Sequence, residues 1–551
     1  MNGRLRKAGV TSALGGAIHV VLPLLFVLPQ DPSGPTIGVP ATTYGVMIIG
    51  ATALVGAALL GLLPTPGRLL IVSAAMLSAF LIGWEFKAFV LALTIPLLTS
   101  VWLLFVPGSA ARPAIESRRA ALAGIGGVAV SSYLMWRMLG AYNERHTPSH
   151  PESIAMKPEW EADWLWLGGV SATTAQICAG GLREGTFSLS YWMRERPDQL
   201  SVADSETSNG VARFELADLT PGTEYDYAVH SISGLAGANA TLTTPHQGAQ
   251  NLTIAFGSCA RTESNGAVFD AIRATEPDLF VQLGDLHYGN LTSNQPADHI
   301  QMLGRSLSTP AQSALYSSVP SMWIWDDHDF GPNDSDSSSP ARQGALGAYR
   351  QAVPHWGVDP DVDKPINQAM TIGRVRVVTT DTRSMRTSSS MLGAEQEAWL
   401  VGELIESART HALVVWANPT PWNFPEIPGS DVWGGFPDER RRIANAIAEA
   451  NITNMVMISG DWHLAAIDDG TNTGYADDGS PGFPLIHAAP LDRPGSRIND
   501  PYSHGVFSNA GQFGTIEVSD DGGTQIDVVL AAHLWTGERL GELELTIDLS
   551  T

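Results

Sequence analysis

The sequence predicts a three-part chain: an α-helical membrane region, a small β-sandwich, and an α/β domain. Three observations predict it. Long apolar stretches crowd the first 140 residues, short alternating strands run from about 161 to 246, and from about 250 apolar strands alternate with helical segments. With 551 residues, 55 of them glycine, three or more compact units are expected.

Residues 1–142 hold five apolar stretches, at about 8–29, 43–63, 69–84, 88–106 and 120–136. A spanning helix needs about 20 apolar residues, with roughly 17 acceptable. The first, second and fourth stretches are long enough; the third and fifth are short, and Glu85-Phe86-Lys87 joins the third and fourth as a tight hairpin. The first stretch is too long, and is followed by too many others, for a cleaved signal peptide. Arg4, Arg6 and Lys7, then Arg68, then Arg112, Arg118 and Arg119 fall in alternate loops, whereas the other loops hold only Lys87. Basic loops stay inside, so five spans place everything after about Tyr142 on the extracytoplasmic side. His19, Glu85 and Pro96 make no convincing transport pathway, and the region reads as a multi-pass anchor in the lipid bilayer of the cell membrane.

Residues 143–160, polar and carrying Pro148 and Pro151, read as a linker. Between 161 and 246, strands are expected at Trp164–Val170, Ala175–Cys178, Thr186–Met193, Val211–Leu216, Tyr225–Ile232 and Ala240–Thr244. Leu219-Thr-Pro-Gly-Thr-Glu-Tyr225 resembles the turn and tyrosine corner of fibronectin type III-like sandwiches, which makes Tyr225 and Tyr227 structural.

From 250 to 551 the chemistry gathers. Thr253-Ile-Ala-Phe-Gly-Ser-Cys259 is a strand ending in a thiol, and Asp278-Leu-Phe-Val-Gln-Leu-Gly-Asp-Leu-His-Tyr288 a strand followed by a carboxylate and a phenol. Trp323-Ile-Trp-Asp-Asp-His-Asp-Phe-Gly-Pro-Asn-Asp-Ser-Asp336 begins as an apolar strand and ends in a loop of carboxylates, an imidazole and an amide. Asn454-Met-Val-Met-Ile-Ser-Gly-Asp-Trp-His463 delivers Asp461 and His463 on alternate positions. A lone acidic run is ordinarily a solvated turn. Four apolar strands releasing oxygen, sulfur and imidazole at their carboxyl ends point instead to a metal centre.

Ligand types narrow the ions. Asp285 can bridge two of them through its two oxygens. The Tyr288 phenolate and Cys259 thiolate favour Fe³⁺ or Zn²⁺, whereas Asp327, Asn333 and Asp461 suit Ca²⁺, Mn²⁺ or Mg²⁺. Such mixed sets suit adjacent ions that clamp a phosphoryl group.

Phe256-Gly-Ser-Cys259, Gly284-Asp-x-x-Tyr288, Trp325-Asp-Asp-His-Asp329, Asp381-Thr-Arg-Ser384, Gln396-x-x-Trp-Leu400, Ser459-Gly-Asp-x-His463 and Phe513-Gly-Thr-Ile-Glu-Val518 stand in one order. That series resembles the alkaline phosphatase D (PhoD-like) metallophosphatases of the calcineurin-like superfamily, from about Trp164 to the end. The resemblance implies a two-sheet α/β metallophosphoesterase fold behind a small β-sandwich, hydrolysis of phosphate esters by a metal-activated water or hydroxide, and a binuclear or trinuclear centre of Fe³⁺ and Ca²⁺. On that pattern Cys259, Asp285, Tyr288 and His463 hold iron, and Asp285, Asp327 and Asp461 hold calcium; Gly331-Pro332 reshapes the loop that carries Asn333. His328 would face the substrate as a proton donor or phosphate-oxygen stabiliser. Arg383 and Arg261 would bind a phosphate oxygen or form structural ion pairs.

Helices are expected at Ala267–Thr275, Ala394–Ala408 and Asp438–Ala450, with strands at Val375–Thr380 and Ala412–Trp416. The loop Pro354–Met370 and the run Asn418-Pro-Thr-Pro-Trp-Asn-Phe-Pro425 lie where a substrate rim could form, with Trp422, Phe424, Trp433 and Phe436 either lining it or packing beneath. The acidic loop Asp468–Asp478 reads as solvated surface, with a peripheral Ca²⁺ site as the lesser alternative. Two cysteines exclude a disulfide scaffold, leaving Cys259 as a ligand and Cys178 as a core residue. A net charge of −24 gives no nucleic-acid-binding signal, since phosphate backbones need Lys and Arg. The expected activity is release of phosphate from organic esters. A phosphodiesterase acting on phospholipid headgroups or envelope polymers is the alternative, and a non-catalytic envelope receptor is the third reading.

Overall fold

The computed structural model describes residues 162–231, 240–496 and 502–549. The apolar stretches of residues 1–142 and the linker 143–160 lie outside these residues. Among the described residues, no helix is long and apolar enough to cross a membrane.

Residues 164–243 form two antiparallel sheets. Their strands are β1 (Trp164–Gly168), β2 (Ala175–Gly180), β3 (Thr186–Met193), β4 (Ser201–Glu206), β5 (Val211–Leu216), β6 (Glu224–Ser231) and β7 (Ala240–Thr243). The sheet orders are β1-β2-β5 and β4-β3-β6-β7. Leu165, Leu167, Ile177, Leu189, Phe214 and Val229 are fully or almost fully buried between them. The Tyr225 hydroxyl accepts a hydrogen bond from the Thr220 amide at 2.8 Å, closing the turn read from sequence. β4 has no buried residue, so its sequence carries no apolar signal.

The α/β part opens with β8 (Leu252–Gly257), α1 (Ala267–Ala274), β9 (Leu279–Leu283), α2 (Pro296–Leu307), α3 (Pro310–Tyr316), β10 (Ser321–Ile324), the single turn α4 (Asp327–Phe330) and α5 (Arg342–Ala352). It continues with β11 (Gln368–Ile372), β12 (Val375–Thr379), α6 (Ala394–Thr410), β13 (Leu413–Asn418), α7 (Pro437–Glu449) and β14 (Met455–Ser459). The last strands are β15 (Ala465–Asp468), β16 (Leu485–Ala488), β17 (Val506–Phe507), β18 (Gln512–Ser519), β19 (Gln525–Leu534) and β20 (Arg539–Asp548).

One sheet runs β10-β9-β8-β18-β19-β20 and the other β11-β12-β13-β14-β16-β15-β17. β8, β9 and β10 are mutually parallel, as are β12, β13, β14 and β16. β9, β10, β13 and β14 are buried along their whole length, as strands covered on both faces must be. Ile254, Val281, Leu283, Ile324, Val377, Val415, Ile458 and Ile486 share one core. The parallel strands therefore release their loops together at their carboxyl ends, where open α/β sheets place ligands.

The sandwich docks on the strand that leads into the acidic loop. Trp166 Nε1 donates to Ser321 Oγ at 2.6 Å, and the Tyr227 hydroxyl donates to the Ser317 carbonyl at 2.6 Å. The loop expected at a substrate rim, Pro354–Met370, lies here instead: Trp356 Nε1 donates to the Val170 carbonyl and the His355 amide to Gln176 Oε1.

Candidate metal centre

Three of the four ligand-bearing loops turn through the left-handed region where their strands end. Cys259 follows β8 with φ +63°, Asp285 follows β9 with φ +52° and Asp461 follows β14 with φ +76°. Non-glycine residues rarely occupy this left-handed region, and such strain gathers at functional sites. The glycine ahead of each aspartate is sterically required. A Cβ at Gly284 (φ +83°) would overlap the Asp326 side chain, and one at Gly460 would overlap Ser258. The two Gly-Asp signatures thus record loops packed too closely for any other residue.

The folded chain brings the predicted side chains together. The Tyr288 hydroxyl lies 3.1 Å from His463 Nε2, and its phenol is one of the groups that act on the protonation of Asp285 and of the Cys259 thiol. Cys259 Sγ is 3.2 Å from the Asp461 carbonyl oxygen. Ligand atoms of Asp285, Asp327 and His328 lie within 4.8 Å of one another. His463 Nδ1 donates to the Pro494 carbonyl at 3.0 Å, which leaves Nε2 to face Tyr288. His328 Nδ1 donates to Asn290 Oδ1 at 2.6 Å, and its ring lies 4.2 Å from the Tyr288 ring.

The electrostatics of the site call for positive charge. Burial, reinforced by the Asp327 carboxylate, pushes Asp285 up to about 7. Asp326 is pushed up to about 8 by burial and by Asp327 and Asp285, against the pull of Arg383. Burial and the carboxylates around it hold Asp461 well above the usual range. Asp327 is lowered: Arg383, His328 and the amides of Asp334 and His328 outweigh the cost of its burial. Burial also raises the Cys259 thiol and the Tyr288 phenol well above their ordinary values, and depresses His463 to about 3. Asp285 Oδ1, Asp326 Oδ2 and Asp461 Oδ2 are buried without a hydrogen-bond donor. A buried acceptor left unpaired costs about 1–3 kcal/mol, and more when charged. Cations among these oxygens would satisfy their lone pairs and reverse the pKa logic, so the donor set fits metal ions.

The model of the PhoD-like phosphatases matches residues 254–529. This chain belongs to the PhoD-like phosphatase family. Alkaline phosphatase D of Bacillus subtilis strain 168 is 26% identical over 307 residues, 46% of this chain and 53% of the relative, so the chain spans about half the length of the curated relative it matches. A solved structure of PhoD superposes with a TM-score of 0.58 at 17% identity, over 72% of this chain and 93% of that one. Purple acid phosphatase PPD1 from yellow lupin (Lupinus luteus) seeds gives 0.52 at 12% identity, over 73% and 75%. Similarity at these identities is one of fold.

Within the PhoD-like frame several expectations change. Asn333 and Asp334 are both exposed in their turn; the Asp334 amide donates to Asp327 Oδ2 at 2.7 Å, and its carboxylate gathers with Asp327 and Asp431. Arg383 is fully buried, with Nε 2.5 Å from Asp326 Oδ1 and Nη2 3.5 Å from Asp431. It neutralises carboxylates behind the centre, which is the ion-pair reading. Arg261 lies with Nε 3.4 Å from Asp492. Trp422 and Trp433 are fully buried against Trp416, and Phe436 packs under Arg386, so these three are core rather than rim. Phe424 alone reaches a half-buried ring beside the centre, stacking edge-on against Trp462 with centroids 4.3 Å apart. The acidic loop after β15 is tied up internally, since the Asp468 carboxylate accepts from the amides of Gly470, Asn472 and Ser503.

Sequence reasoning missed Asp326, Asn290, Asp329, Asp431 and the segment Asp492-Arg493. Asp329 ties two ligand loops together, accepting from the amides of His287 at 3.1 Å and Asp326 at 3.2 Å. The last segment did carry the same signal as the others, polar residues after a buried strand, but β16 is only four residues long.

Proposed function

We propose that this protein is a metal-dependent phosphoric ester hydrolase, held at the membrane by residues 1–142 with its catalytic domain on the outer side. The convergence of Cys259, Asp285, Tyr288, Asp327, Asp461 and His463 at neighbouring strand ends, with buried carboxylate oxygens lacking donors, carries the catalytic part of the reading. The basic residues of alternate loops carry the topological part. Cys259, Asp285, Tyr288 and His463 would hold an iron-type ion, and Asp285, Asp327 and Asp461 a calcium-type neighbour. Ions held there supply charge that polarises a phosphoryl oxygen and lowers the pKa of water.

The chain's own residues supply the proton path. Burial holds the His328 imidazole below its ordinary value, hence neutral. With the Nδ1 proton given to Asn290, Nε2 carries the lone pair. It can take up a proton from solvent water before the ester bond is broken. The imidazolium can then give that proton to the ester oxygen as the bond from phosphorus to that oxygen breaks.

The full-length protein should contain tightly bound metal and release an alcohol and phosphate from organic esters. Asp285→Asn removes the charge shared between two cations, so turnover should fall by several orders of magnitude. Activity within about tenfold of the parent, a difference of only ~1.4 kcal/mol, would overturn the assignment. A panel comparing monoesters with bis-esters, including phospholipid headgroups, decides between phosphatase and phosphodiesterase.

A further inference from the structure

Recognition of the phosphoryl group needs a guanidinium or amine that faces the centre and is held still. Neither arginine expected from sequence meets both needs. Arg383 is enclosed behind the carboxylates it neutralises, and Arg261 is engaged with Asp492.

The segment 491–496 crosses the ligand loops and is pinned to them on both sides of Arg493. The Leu491 amide donates to the Ser258 carbonyl at 2.8 Å, next to Cys259. Asp492 Oδ1 accepts from the Arg261 amide at 2.5 Å, and its Oδ2 accepts from the Ser264 hydroxyl. The Pro494 carbonyl accepts from His463 Nδ1, and the Ser496 amide donates to the His463 carbonyl at 2.5 Å. Between these anchors the half-buried Arg493 extends over Tyr288, its Cζ 4.2 Å from the ring centroid. The same ring contacts His328. The Arg493 charge acts on Asp285, Tyr288, His328 and His463, which come from three separate segments.

We propose that Arg493 is the phosphate-binding guanidinium of this centre, gripping the non-bridging oxygens of the ester beside Tyr288 and His328. The proposal rests on the phosphoesterase reading and names the residue that recognises the phosphoryl group. A guanidinium fork matches a phosphate edge in a way a lysine cannot. The anchored segment holds it in place before substrate arrives, so little reorganisation is needed as charge develops on those oxygens.

The test uses full-length protein carrying its own metals, with Arg493→Ala and Arg493→Lys. Metal content, kcat and KM for an aryl phosphate monoester, and the affinity for inorganic phosphate are measured on each. Arg493→Ala should keep its metals, lose about 10²-fold in kcat/KM, bind phosphate at least about tenfold more weakly, and recover part of its activity when free guanidinium is added. Arg493→Lys should keep its metals and fall between the parent and the alanine variant. Unchanged phosphate affinity in Arg493→Ala would overturn the proposal. Loss of metal from both variants would also overturn it, making the arginine a structural support. If the parent hydrolyses no ester, phosphate affinity still decides: weaker binding by Arg493→Ala preserves the subsite while the hydrolase reading falls.

Discussion

Tyr288 stands where the candidate ligands meet, its hydroxyl 3.1 Å from His463 Nε2 and its phenol acting on the protonation of Asp285 and Cys259. A phenolate bound to Fe³⁺ absorbs visible light by charge transfer, so the protein should be coloured if iron is the ion held there. Tyr288→Phe should remove that band and weaken metal retention, since the ring remains and the oxygen is gone. His328→Ala should leave colour and metal content intact while slowing hydrolysis about 10²–10⁴-fold, the range for a positioned acid–base group. A colourless parent, active with zinc or magnesium alone, would refute iron and spare the hydrolase. Metal lost from His328→Ala would make that histidine a ligand. The identity of these side chains was legible in the sequence because each follows an apolar strand. The role of Asp326 was not legible, because its partner Arg383 lies 57 positions away and only folding brings the two together.

At the scale of elements, the glycine positions separate two effects of a single methyl. Gly284 has φ +83° and no room for a Cβ beside Asp326, so Gly284→Ala should cost about 1–3 kcal/mol and reduce metal content by moving Asp285. Gly402 lies within α6 with nothing within 4 Å of an added Cβ. Gly402→Ala should therefore raise stability by about 0.5–1 kcal/mol without touching metal content. Denaturant melts and metal analysis of the pair check both. His487 on β16 offers a pH prediction. It is fully buried, with Nδ1 2.9 Å from Ser459 Oγ and Nε2 2.7 Å from the Trp462 carbonyl, and burial depresses it to about 4. The unfolded chain binds this proton below about 6.5, whereas the folded chain does not until about 4. Its contribution is thus present above pH 6.5 and is lost as pH falls toward 4, by about 3 kcal/mol in all. His487→Gln should flatten the fall in stability measured between pH 6.5 and 4; an unaltered slope would show that other groups control it. Strands β8, β9, β10 and β14 were readable as continuous apolar runs. α2, α3 and α5 were passed over, although α2 and α3 open on proline, which favours the first helical turn, and bury Ile300, Leu303, Leu307, Ala311 and Leu315 at helical spacing.

The whole molecule joins a sandwich, a two-sheet domain and an apolar amino-terminal region in one chain. The sandwich is bound at Ser321, the first residue of β10, through Trp166 and at Ser317 just ahead of it through Tyr227, six and ten residues before Asp327 by chain position. Topology is testable at this scale. A reporter fused after Thr551 should be active only on the outer side of the membrane; activity confined to the cytoplasm would reverse the placement and remove any extracellular substrate. Chain order alone established which residue types end which strands, because a buried strand is a local pattern and the polar residue after it is its neighbour. It also established the charge asymmetry of the amino-terminal loops. Folding decided which arginine meets the centre. Arg383 follows a strand in a recognised motif yet is spent on Asp326, whereas Arg493, outside every motif, is carried over Tyr288 by anchors at Ser258, Arg261 and His463. How a charge is placed depends on partners brought from distant parts of the chain, and only the packed structure sets those distances.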